Sequence, residues 1–119
     1  MGASKPVMYG IPNCGTIKKA RGWLEQAGID YDFHDYKKKG VDEQLLRDWV
    51  ARFGWQQVIN RRGMTWRKLD ESVREGMDEA GAIAVMLDKH SIIKRPILTL
   101  SDQVILGFDE SSYAQAFKS

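Results

Sequence analysis

The sequence holds a single cysteine, Cys14, in 119 residues. One thiol excludes an internal disulfide framework and any structural zinc site built on two or four cysteines. Histidine is scarce as well, and His34 and His90 lack metal-ligand spacing, so no metal site is expected. Long apolar runs are missing. The longest is Ala82 to Leu87, far short of the roughly 18 residues a membrane span needs. Val7-Met8 is followed at once by Gly10, Pro12 and Asn13, which leaves no h-region for a secretory signal. An excess of one charge is missing too. Eighteen Lys and Arg face 16 Asp and Glu, a net charge of +2, too even a balance to suggest a nucleic-acid binder. No repeat, Pro/Gly/Ser-rich linker or Gly-rich phosphate loop is present. These absences describe a monomeric, cytoplasmic protein without a membrane or nucleic-acid partner, in a compartment where thiols stay reduced.

What is present reads as one globular domain over residues 1–119, with 43% apolar and 29% charged residues. Pro6 to Tyr9 is a strand candidate that ends at Gly10, and Ile11 to Gly15 is a loop. Ile17, Ala20, Leu24 and Ala27 recur at helical spacing, with Gly28 placed as the stop. Ile29 to Tyr36 alternates aromatic and polar residues as a strand does. Lys37-Lys38-Lys39 reads as a solvated loop. Asp42 caps a helix whose apolar face is Leu45, Leu46, Trp49, Val50 and Phe53, with Val41 and Leu46 as its staple. Trp55 to Asn60 and Leu69 to Val73 read as short helical turns, and Asp78 to Lys89 as a longer helix. Ile92 to Leu100 is a β-rich run interrupted by Pro96. It pairs with Val104 to Leu106 across a two-residue turn, Asp102-Gln103. Asp109 caps a last helix, with Phe108 and Tyr113 at its staple positions. This order, β-α-β, a helical insertion at about 41–90, a β-hairpin and a helix, is that of an α/β thioredoxin-like fold with a mixed four-stranded sheet. The first two strands then pair in parallel through a right-handed crossover.

Cys14 falls where the first strand gives way to the first helix. A buried, inert cysteine is the plain alternative to a reactive one, but a loop at a helix start is an unusual place for a core residue. The thiolate is the reactive form, and a free thiol of pKa ~8.5 is only ~3% ionised at pH 7. Making such a thiol mostly ionised takes about 3.4 kcal/mol of differential stabilisation. A helix N-terminus supplies about 1, and at most about 2 kcal/mol. A cation from elsewhere in the chain has to supply the rest, and Arg61, Arg62 and Arg95 are the candidates. Position 17 is isoleucine, so no C-x-x-C pair exists, and any redox cycle needs an outside thiol.

The stretch Val7-Met8-Tyr9-Gly10-Ile11-Pro12-Asn13-Cys14-Gly15-Thr16-Ile17-Lys18-Lys19-Ala20 resembles the N-terminal motif of the arsenate reductase (ArsC)/Spx family. Ile93-Lys94-Arg95-Pro96-Ile97 resembles that family's Arg-Pro signature. Asn60-Arg61-Arg62-Gly63, Trp66-Arg67-Lys68-Leu69 and the closing Gly107-Phe108 look most like its YffB-like subgroup. The resemblance runs from Val7 to Phe117. It implies a thioredoxin-like fold with Cys14 as nucleophile, Arg95 and Arg61 as its catalytic arginines, and a cis Arg95-Pro96 peptide. Asn13, Gly15, Thr16, Pro96 and Arg62 then surround the substrate. Two departures stand out. Arsenate reductases of the family carry a histidine where this chain has Gly10 and a further arginine near Phe108, and both losses argue against arsenate as substrate.

Together these readings lead to a glutathione-dependent thiol oxidoreductase with no bound cofactor and glutathione as co-substrate, or a small redox protein as partner. The alternatives are an arsenate reductase that uses glutathione or glutaredoxin, and a non-enzymatic Spx-like module. The latter would contact RNA polymerase through Lys37 to Lys39 and Arg67-Lys68.

Overall fold

The computed structural model describes residues 5–118. In chain order the elements are β1 (Val7–Gly10), α1 (Gly15–Gln26), β2 (Asp32–Asp35), α2 (Tyr36–Lys39), α3 (Glu43–Phe53), α4 (Trp55–Val58), α5 (Met64–Arg67), α6 (Glu71–Glu75) and α7 (Glu79–Asp88). A 3-10 turn (His90–Ile92), β3 (Ile97–Thr99), β4 (Val104–Leu106) and α8 (Glu110–Ala116) follow. They form two compact units. The first joins the residues up to Lys39 to those from Arg95 onward, and the second is Gly40–Lys94.

The first unit is built on a four-stranded mixed sheet of order β2-β1-β3-β4. β1 and β2 are parallel, with Met8 opposite Phe33. β1 and β3 are antiparallel, with Met8 opposite Leu98, and β3 and β4 are antiparallel, with Leu98 opposite Ile105. Side chains alternate across a pleat, so Met8, Leu98 and Ile105 line one face in a single row. Ile17, Ala20 and Leu24 of α1 and Tyr113 of α8 pack on that row as one cluster. Their helical spacing is the reason α1 lies there. The helix stops because Gly28 takes φ +72°, a left-handed conformation that costs glycine little. The Gly28 and Ile29 N–H groups then donate to the carbonyls of Glu25 and Leu24 at 3.1 and 3.0 Å, closing the orphan acceptors of the last turn. Because Ile29 belongs to this cap, β2 begins only at Asp32.

In the second unit, Asp42 Oδ1 accepts the Gln44 N–H at 3.0 Å and Asp78 Oδ1 accepts the Gly81 N–H at 2.8 Å, starting α3 and α7. Leu46, Trp49 and Val50 of α3 and Ala82, Ile83 and Met86 of α7 are buried. Ile59 and Ile93, both buried, form an isolated antiparallel bridge. Around it the Asn60 N–H donates to Ile92 O and the Lys94 N–H donates to Val58 O, each at 2.8 Å.

Four local expectations are corrected. Ile92 and Ile93 are not in a strand with Ile97. Their N–H groups turn back to Lys89 and His90, and Pro96 has no N–H to extend the ladder. The hairpin tip is Ser101-Asp102 rather than Asp102-Gln103, because the Leu100 N–H closes on Gln103 O at 2.8 Å. Lys37 to Lys39 are exposed, but they lie in the helical turn α2 and not in a loop. Asp35 Oδ1 accepts the Lys37 N–H at 2.9 Å and starts that turn. Met64 to Arg67, without periodicity of their own, form a further turn.

Tyr113 is fully buried, with its ring edge-on to Phe108 at 4.9 Å and to Trp23 at 5.5 Å between centroids. Its hydroxyl has no hydrogen-bond partner among the described residues, and burial pushes the phenol above its ordinary range. The fold therefore favours the protonated form, and that contribution is complete below about pH 10 and lost as pH rises beyond it. Tyr113→Phe keeps the ring and removes the orphan hydroxyl. It is expected to leave stability at pH 7 unchanged or raise it by up to about 1 kcal/mol, and to lessen the loss above pH 10. Denaturant melts at pH 7 and pH 11 read both, and a cost above about 1 kcal/mol at pH 7 contradicts the assignment.

Candidate functional site

The strand register decides what the first unit gathers. Tyr9 lies opposite Ile97, Gly10 opposite Asp35, and Ile97 opposite Leu106. With these directions one end of the sheet receives the loop after β1, the start of α2, the residues before β3 and the turn after β4. Cys14 comes from the first of these, Tyr36 from the second, Arg95-Pro96 from the third and Gly107-Phe108 from the fourth. The Arg95-Pro96 peptide is cis, and Pro96 O accepts the Gly107 N–H at 2.8 Å.

Cys14 is the N-cap residue of α1. Its backbone is extended (φ −99°, ψ 133°) and its side chain makes no capping bond. Its carbonyl accepts the Lys18 N–H at 3.0 Å, so the residue is fixed by the helix while its thiol is not engaged as a cap. Cys14 is half-buried, touching the rim of the sheet cluster rather than filling it. Asn13, Gly15 and Thr16 around it are exposed. At Gly15 an added Cβ would meet nothing within 4 Å, so the first turn of the helix is open.

Arg95 is half-buried, and its guanidinium makes no hydrogen bond or ion pair with the described residues. It acts on Tyr36, which is almost fully buried. Burial pushes the Tyr36 phenol far up, Tyr9 adds to that, and the Arg95 charge opposes it. Tyr36 also belongs to an aromatic group with Tyr9 and His34. Centroids lie 4.9 Å apart for Tyr9–His34, 5.7 Å for His34–Tyr36 and 6.3 Å for Tyr9–Tyr36. Sequence reasoning missed this group. The signal for it was the alternation that puts Tyr9 and His34 on one sheet face, opposite Met8 and Phe33, with Tyr36 two residues on at the start of α2.

Gly10 is buried, and a Cβ built on it would overlap Cδ1 of Ile17. A larger side chain has no room there while α1 lies as it does.

Arg61 and Arg62 belong to the second unit and are both exposed. With Gln56, Gln57, Asn60 and Lys94 they line a cleft of about 340 Å³. Among the described residues no group of three His, Cys, Asp or Glu is placed to hold a metal ion, and no helix is long and apolar enough to cross a membrane.

A mixed four-stranded sheet of order β2-β1-β3-β4, with a cysteine at the start of the first helix and a cis-proline before the third strand, defines a thioredoxin-like fold. Within that class, residues 9–116 match the model of the ArsC family, and the chain belongs to that family. The structure of the YffB protein PA3664 is 51% identical, with a TM-score of 0.90 over 93% of this chain and 97% of that one. An arsenate reductase (ArsC) related protein from Brucella melitensis is 45% identical, with a TM-score of 0.79 over 100% and 99% of the two chains. An uncharacterized protein of Haemophilus influenzae is 40% identical over 110 residues, covering 92% of this chain and 96% of its own.

The Gly10 contact is testable. Gly10→Ala is expected to cost about 1–3 kcal/mol, the usual penalty for overpacking. In an Ile17→Val background, which removes the overlapping Cδ1, the same change should cost clearly less. Equal costs in a double-mutant cycle would show that Ile17 is not what Gly10 makes room for.

Proposed function

We propose that the protein is a glutathione-dependent thiol oxidoreductase with Cys14 as its nucleophile. The observation that carries this reading is the placement of the only thiol, half-exposed at a helix start, on the sheet end that also holds the unpaired guanidinium of Arg95. The Cys14 thiolate attacks one sulfur of a disulfide RS–SR′. The new bond is Cys14–S–S–R, and R′S⁻ leaves with the electron pair. Ile17 stands where a second cysteine would resolve that bond internally, so an outside thiolate has to attack the mixed disulfide. Glutathione does so, releasing RS–SG and regenerating the Cys14 thiolate.

In this reading the open first turn of α1 at Gly15 and Thr16 faces the developing negative charge on sulfur, as a helix N-terminus favours anions. Asn13 and cis-Pro96 border the approach to the thiol. Arg95 pairs with a carboxylate of the incoming peptide, the partner it lacks within the first unit. Gly10 stands where the family's arsenate reductases carry a histidine, and the chain lacks their further arginine near Phe108, which favours a disulfide over arsenate as the oxidised substrate.

Mass spectrometry after exposure to oxidised glutathione tests the proposal. One glutathione should add to Cys14, reduced glutathione should remove it, and Cys14→Ser should take up none. Arg95→Ala should slow the addition about tenfold, the effect of about 1.4 kcal/mol lost from one charge-assisted contact. An unmodified Cys14, or an Arg95→Ala rate equal to that of the parent, would defeat the proposal or the role given to Arg95, respectively.

A further inference from the structure

The second unit holds another cleft, of about 310 Å³, lined by Trp66, Glu71, Arg74 and Glu75. None of its charged groups has an ion pair or a side-chain hydrogen bond among the described residues. Glu71 and Glu75 are exposed, while Trp66 and Arg74 are half-buried. Arg74 Nε is buried with no hydrogen-bond partner. Its Nη groups are not buried in that way, so the forked end of the guanidinium is the part open to a ligand.

Two short helices place these groups. In α5 the Lys68 N–H donates to Met64 O at 3.0 Å, and the Leu69 N–H donates to Trp66 O at 3.1 Å. The Thr65 and Ser91 hydroxyls, 2.8 Å apart, tie α5 to the 3-10 turn. The Trp66 ring lies beside that of Trp55, with centroids 6.3 Å apart. Asp70 O accepts the Val73 and Arg74 N–H groups, each at 3.0 Å, and starts α6. Along α6, Glu71, Arg74 and Glu75 follow the i, i+3, i+4 spacing that shares one helix face.

Each charge in this cleft asks for a counter-charge that the fold withholds. A guanidinium with one nitrogen cut off from water and unpaired is poorly solvated, so an anion gains more there than at an open surface. Its fork suits a carboxylate held by two parallel bonds. Glu71 and Glu75, four residues apart on one helix, repel each other until a cation stands between them. Trp66 offers a ring face to a cation as well. Two carboxylates and one guanidinium leave the cleft one net negative charge. A ligand with one carboxylate and two cationic groups answers all three, and the volume, at the small end of ligand pockets, limits its size. We propose that this cleft binds a basic amino acid. Arg74 takes its carboxylate, and Glu71, Glu75 and the Trp66 ring take its α-ammonium and its cationic side chain. This goes beyond the proposed thiol chemistry and stands or falls without it.

The test is an NMR titration of the whole protein at fixed ionic strength and pH 7.5. L-Arginine should shift the Trp66 indole N–H and the amides of Glu71 to Glu75, with a midpoint at or below about 1 mM. L-Citrulline, whose side chain is neutral, and agmatine, which lacks the carboxylate, should each bind about tenfold more weakly. This series needs no variant. Arg74→Gln should weaken L-arginine about tenfold and leave agmatine unchanged, a split that a merely structural role would not produce. Arg74→Lys should restore part of the loss. Glu75→Gln should weaken both ligands, and Cys14→Ser should bind as the parent does. Citrulline or agmatine binding as tightly as L-arginine overturns the proposal. So does the absence of shifts at Trp66 and α6 up to about 10 mM L-arginine, or an equal loss of L-arginine and agmatine in Arg74→Gln.

Discussion

Tyr9 faces Ile97 across an antiparallel pair while Gly10 faces Asp35 across a parallel one, so β1 is held from both sides in opposite senses. This double pairing brings the end of β1 and the beginning of β3 to the same edge of the sheet. A shift by one residue in either pair would turn Met8, Leu98 or Ile105 away from α1 and α8. Each such side chain contributes about 1.5–3 kcal/mol by burial, so the register is strongly specified. The loop carrying Cys14 and the cis Arg95-Pro96 peptide inherit their common location from that hydrophobic row.

The charges on that edge follow a different logic from the core. Arg95 is half-buried without a partner in the first unit, near a Tyr36 phenol that burial keeps protonated and neutral. Among the described residues no carboxylate pairs with the guanidinium, and the nearby Asp35 turns its Oδ1 to the Lys37 N–H. The unpaired group instead keeps its capacity to pair with an incoming anion, at a cost in partial desolvation that hydrophobic packing elsewhere has to offset. Within the second unit the same logic holds at Arg61, Arg62 and Lys94, whose cleft has no acidic residue on its lining.

Much of this was legible in the sequence, for identifiable reasons. Asp42 and Asp109 were readable as caps because a short acceptor before an apolar run has one common use, and both accept N–H groups of their first turns. Phe108 and Tyr113 were readable as a staple from spacing alone, and their rings meet edge-on. Gly28 was readable as a stop because the apolar period ends there. The cis state of Arg95-Pro96 came from family resemblance and not from any local rule. What was not legible depended on partners distant in the chain. Nothing near Lys94 announces Val58, so its place beside Arg61 and Arg62 was not readable, although both arginines were singled out as candidates. The turn at Tyr36 to Lys39 was hidden in the same way, because Asp35 resembles any polar strand residue until its carboxylate is seen capping Lys37.

Ile17 connects the packing to the proposed chemistry. In a C-x-x-C arrangement that position would carry the second thiol, facing the first across one helical turn. Here it is fully buried, and its Cδ1 occupies the space that the missing side chain of Gly10 leaves open. Cysteine at 17 would give up most of that contact and leave a void against β1, since core residues of fewer methyl groups lose both transfer energy and packing. The site that would make the protein self-resolving is thus committed to holding α1 against the sheet, which is also what fixes Cys14 at the helix start. In the proposed chemistry, the fixed position of Cys14 and its dependence on an outside thiol then have one structural origin.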